Sequence, residues 1–63
     1  MYENFNKIIK KRGITPYRVA KDTDISTSTL SDWKNGKSTP KLDKLMKIAD
    51  YLGVALEELI GKK

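Results

Sequence analysis

The stretch Thr15–Gly36, TPYRVAKDTDISTSTLSDWKNG, carries two helix starts in close succession. Thr15 is an N-cap residue type, and Pro16 at the first helical position gives up only an amide with no intrahelical partner. Ile14 and Val19 stand at the spacing of a hydrophobic staple. Val19 and Ala20 face inward, and Asp22-Thr23-Asp24 are residues that suit a turn. The signals then recur. Ser26 is a second cap, and Ile25 and Leu30 repeat the staple spacing. The reading is two short helices, over about 16–22 and 27–35, joined by a tight turn.

Asn35-Gly36 supplies a left-handed stop for the second of these helices. Leu30 and Trp33, three apart, mark its buried side, so Trp33 is read as core rather than as a base-stacking ring. The outer side carries Thr27, Ser28, Ser31, Asp32 and Asn35, which spacings of three and four place on one face. That face has donors and acceptors and no long aliphatic side chain. It fits the DNA major groove, where each base pair presents its own hydrogen-bond pattern. A plain solvated face rich in Ser and Thr would have the same composition, and the pattern leaves both readings open.

The run ISTSTLSDWKNGKSTPKLDKLMKIADYLGV (25–54) resembles the DNA-binding domain of phage repressors of the lambda and Cro class, the XRE-type regulators of bacteria. The likeness extends over nearly the whole chain; its most specific parts are the turn, WKNGKSTP and the ending LGVALEELIG. It implies an all-α, compact five-helix domain with the helix-turn-helix in helices two and three. It also implies that Thr27, Ser28 and Asp32 face base edges with Ser31 beside them, and that Ser26, Lys37 and Ser38 meet phosphates. Four departures stand out. Asp24 replaces the usual turn glycine, which Asp tolerates better than most residues. Thr23 replaces an apolar residue. Pro16 replaces a Gln that commonly touches phosphate. Ile9 and Lys34 replace an Arg–Glu pair, and since both halves change together no buried charge is orphaned.

At 63 residues the chain is read as one domain, near the lower size limit for folding without a metal or disulfide. It holds no Cys and no His, which excludes disulfides, zinc fingers and Cys/His catalysis. No cofactor or metal is expected, and a cytoplasmic location fits the cysteine-free composition. The start, MYENFNKIIKKRG, has no signal-peptide character, and no segment has the length of a membrane span. Thirteen basic residues against eight acidic ones give +5. That balance suits a nucleic acid or another anionic surface, although solubility alone also favours such charge.

Along the rest of the chain, Tyr2, Phe5, Ile8 and Ile9 recur at helical spacing over about 2–12, and Gly13 ends that helix. Thr15, Tyr17 and Arg18 lie where a groove-bound recognition helix would bring the preceding N-terminus against DNA phosphate. Thr39 and Pro40 read as the cap and start of a helix over about 40–52. Leu42, Leu45, Met46, Ile48, Ala49 and Leu52 form its apolar stripe, and Lys37 and Lys41 flank a loop that would follow a DNA strand. A last helix over about 55–60 offers Leu56, Leu59 and Ile60, for the core or for a dimer contact. Ala55 cannot cap it through a side chain.

The expected function is sequence-specific binding of double-stranded DNA by a transcriptional regulator of repressor type, as a homodimer on inverted half-sites. Thr27, Ser28, Ser31 and Asp32 form the base-facing set; Thr15, Tyr17, Arg18, Ser26, Lys37, Ser38 and Lys41 form the phosphate-facing set. A different class of function is a helix bundle that binds a protein partner, such as an antirepressor or a toxin, without reading DNA. Enzymatic activity is not expected, because no His or Cys is present and so short a chain leaves little room for a pocket.

Overall fold

The computed structural model of the chain describes residues 2–61, and all regular structure among them is helical. Five helices follow in order: α1 (Tyr2–Arg12), α2 (Pro16–Thr23), α3 (Thr27–Lys34), α4 (Leu42–Leu52) and α5 (Leu56–Ile60). α2 packs on α3 and α4, and α5 packs on α1 and α4. Phe5, Ile9, Val19, Leu30, Trp33, Ile48, Leu52 and Leu59 meet in the centre. The all-α five-helix architecture is the one expected.

The helix ends explain the path between α1 and α3. After α1, the amides of Gly13 and Ile14 bond the carbonyls of Lys10 and Ile9 at 3.1 and 2.9 Å, a Schellman closure. α2 runs one residue further than the turn chemistry suggests. Thr23 is buried inside it, and its Oγ1 donates to the Val19 carbonyl at 2.6 Å. A hydroxyl satisfied by its own helix can take a core position where an apolar residue is usual. Asp24 then carries the turn with φ 60° and ψ 32°, and is the one non-glycine with positive φ among the described residues. Its amide and that of Ile25 both reach the Ala20 carbonyl. At the end of α3 the left-handed residue is Gly36 (φ +74°), while Asn35 is not left-handed.

α4 corrects two expectations. It begins at Leu42, not at Pro40; the N-cap is Lys41, and no side chain, Thr39 included, caps it. The reason is that Pro40 is itself buried and anchors the loop. Leu42 and Met46 are 60% and 55% exposed, so they do not belong to the core stripe, which is Leu45, Ile48, Ala49 and Leu52. Met46 lies about 100° around the helix from Leu45, and Leu42 precedes the stripe by a turn. In α5, Leu59 is fully buried and Ile60 packs half-buried against the core, while Ala55 provides no side-chain cap, as expected.

Three ties join elements that are remote in sequence. The Arg12 guanidinium donates to the Leu52 carbonyl, so a cation satisfies the C-terminal end of α4. On the surface, Asp22 accepts from Arg18 Nε at 3.0 Å and from the Tyr51 hydroxyl at 2.5 Å, linking α2 to α4. These two donors, Tyr51 first, hold the Asp22 carboxyl below its ordinary value of 3.8. The aromatic rings form the third tie. Trp33 stands 5.2 Å from Phe5 and 5.3 Å from Tyr2, the latter edge-on.

Three outcomes follow. Trp33→Ala should cost about 3–5 kcal/mol, most of the roughly 3–9 kcal/mol available to a chain of this size. It should abolish the cooperative thermal transition; a melt close to wild type would refute Trp33 as the centre of the core. Asp24→Gly relieves left-handed backbone and should raise the melting temperature by about 2–8 °C, whereas a fall would show that the aspartate side chain stabilises the turn. Because its folded pKa is depressed, Asp22 contributes stability above its unfolded value that is lost as pH falls through the folded one. The gap between wild type and Asp22→Asn should therefore be constant near neutrality and close below pH 3.8. A gap independent of pH would remove the tie to Arg18 and Tyr51.

Candidate nucleic-acid interface

α3 is held by one edge. Leu30 and Trp33 are its buried residues, so Thr27, Ser28 and Ser31 are exposed and Asp32 is half-buried. The Ser26 Oγ caps the helix by accepting from the Thr29 amide at 3.2 Å, and it lies 2.8 Å from Thr29 Oγ1. The cap fixes where α3 begins and hence which side chains its first turn presents. The polar face read from the sequence is thus a true outer face of the molecule.

The N-terminus of α2 stands beside it. Thr15 accepts the Arg18 amide on Oγ1 at 3.2 Å and the Val19 amide on its carbonyl at 3.2 Å. Pro16 has no amide, so Tyr17 supplies the one uncommitted backbone donor of that turn. The Thr15 hydroxyl accepts here and keeps its proton for another partner. Tyr17 is 66% exposed. A cleft of about 280 Å³ separates Pro16 and Tyr17 from Thr27, Leu30 and Ser31, with Tyr2 at one end. Lys34, noticed in the sequence only as half of a replaced ion pair, also lines this cleft.

The loop after α3 is fixed at both ends. The Asp32 carbonyl accepts the Lys37 amide at 2.8 Å and the Ser38 amide at 3.4 Å, and Pro40 is buried at the other end. Lys37, Ser38 and Lys41 are exposed between and beyond these anchors, alongside the end of α3. Arg18 is placed differently. Its Nε is engaged by Asp22, and it borders Tyr51 on the side of α2 that meets α4, away from the cleft. The structure therefore groups Tyr17, Thr27 and Ser31 around the cleft, sets Lys37 and Ser38 at the end of α3, and places Thr15 with Arg18 beside Tyr51. Nothing in the sequence pattern signalled Tyr51 as the partner that holds Asp22, because a contact across 29 residues has no local spacing.

Among the described residues no group of three metal-ligating side chains occurs, and no helix is long and apolar enough to cross a membrane. The arrangement offers hydroxyls, one carboxylate, amides and lysines on an open surface.

Comparison with known proteins agrees. Residues 4–62 match the family of the Cro/C1-type HTH DNA-binding domain. Over 48 residues, 76% of this chain, the sequence is 36% identical to an uncharacterized HTH-type transcriptional regulator of Haemophilus influenzae. The matched region is 20% of that relative, so the chain spans only part of its length. No solved structure matches. The family is a DNA-binding one and not a family of enzymes. With the match covering nearly all of its length, the chain belongs to the Cro/C1-type helix-turn-helix DNA-binding domain family.

Proposed function

We propose that the chain reads double-stranded DNA with α3 in the major groove and serves a transcriptional regulator, of repressor type, that binds inverted half-sites as a homodimer. The observation that carries this reading is the outer face of α3, where Thr27, Ser28 and Ser31 are exposed on a helix locked by its other edge. The Thr27 methyl group suits a thymine methyl, and Ser28 and Ser31 suit either donors or acceptors. Among the described residues Asp32 has no lysine within ion-pair distance, Arg18–Asp22 being the ion pair found there. Its carboxylate is therefore available to accept from cytosine N4.

Phosphate contacts come from the flanks. Thr15 and Tyr17 act from the start of α2, Ser26 from the cap of α3, and Lys37, Ser38 and Lys41 from the loop into α4. Arg18 serves a phosphate only through the guanidinium nitrogens that Asp22 does not hold. Short Ser and Thr side chains make no bidentate base contacts, so discrimination per base pair is modest and two half-sites are needed.

Selection from a random duplex pool, followed by binding of the winner across salt concentrations, tests this. An enriched motif with two inverted half-sites and a steep fall of affinity with salt is expected. Ser28→Ala should then weaken the selected site by about 1 kcal/mol, near fivefold, and relax preference at one position of each half-site. Steep salt dependence with no enriched motif would leave phosphate binding and remove the base-reading roles.

A further inference from the structure

The cleft between α2 and α3 is lined by one cation, Lys34. Lys34 follows Thr27 by seven residues and Ser31 by three, so it shares their face of α3, one turn nearer the loop. It is exposed and lines the same cleft as Tyr17. Among the described residues it has no acidic partner, Arg18–Asp22 being the ion pair found there. Opposite Lys34 stands the N-terminal turn of α2, whose one uncommitted amide belongs to Tyr17.

We propose that Lys34 is a phosphate-holding residue of the DNA interface, acting from this cleft. The statement rests on the DNA reading above and adds a residue to it. Lys34 and the Tyr17 amide both donate, so an anion between them is complemented from both walls. Tyr17, Pro16 and Leu30 give the cleft an apolar lining that matches the carbon face of a deoxyribose. Such a sugar-phosphate unit carries no sequence information, so the contact fixes register and adds affinity. The ordinary role of a lysine in the last turn of a helix, facing the negative end of the dipole, predicts stability effects only.

The test is fluorescence anisotropy of the whole chain on its selected duplex between 50 and 300 mM salt, approximately the range in which counterion release is read. Lys34→Gln, Lys34→Arg and, as a control on α4, Lys47→Gln are compared with wild type, each after a thermal melt has shown the fold intact. Lys34→Gln should reduce the salt slope by about 0.9 for each chain bound and weaken binding roughly five- to tenfold at 0.1 M salt. Base preference should not change, Lys34→Arg should retain the wild-type slope, and Lys47→Gln should behave as wild type. An unchanged slope with relaxed preference at one base pair would overturn the proposal, because Lys34 would then read a base edge. An unchanged slope and preference, with wild type binding well, would overturn it while sparing the DNA reading. Wild type failing to bind any duplex at low salt would overturn both.

Discussion

The cluster that Trp33 forms with Phe5 and Tyr2, all three rings in mutual contact, is the interaction on which the rest of the arrangement depends. α3 has eight residues and buries two of them, Leu30 and Trp33. An isolated helix of that length is unstable in water, so its order comes from packing one edge and from its cap. Confining all apolar content to that edge frees the remaining positions for polar side chains. The same two residues thus fix the helix and leave Thr27, Ser28 and Ser31 outside.

Backbone accounting decides which polar groups remain for a ligand. Thr15 satisfies two of the first amides of α2, Pro16 removes a third, and the Tyr17 amide is left. At the other end of α3, the Asp32 carbonyl ties down the Lys37 and Ser38 amides and so holds the lysine-bearing loop against the helix. Asp22 draws Arg18 toward Tyr51 and away from the cleft. Positive charge beside α3 is therefore carried by lysines, point charges that suit phosphate oxygens without a fixed fork geometry.

Much of this was legible in the sequence where the signal is local. Thr15 and Ser26 as caps, the helix-turn-helix between them, and Trp33 as core follow from spacing and residue chemistry. The α4 boundary was misread because Thr39-Pro40 is a good helix start by local rules, while the buried position of Pro40 is a tertiary fact. Leu42 and Met46 lie at plausible core spacing, yet no other helix covers them. Thr23 reads as a turn residue until its hydroxyl is seen bonded to Val19 within the helix. At the interface, the polar face of α3 was evident from periodicity. The engagement of Arg18 by Asp22, and the entry of Lys34 into the cleft, depend on packing that no spacing rule encodes.

The most direct check of the central claim, that the edge of α3 opposite Trp33 meets DNA, is a backbone amide NMR titration with the selected duplex. The largest shifts should fall on Tyr17, the first two turns of α3 and Lys37–Ser38, with Ile48, Leu52 and Leu59 unmoved. Shifts centred instead on the exposed Leu42 and Met46 of α4, with α3 silent, would contradict it.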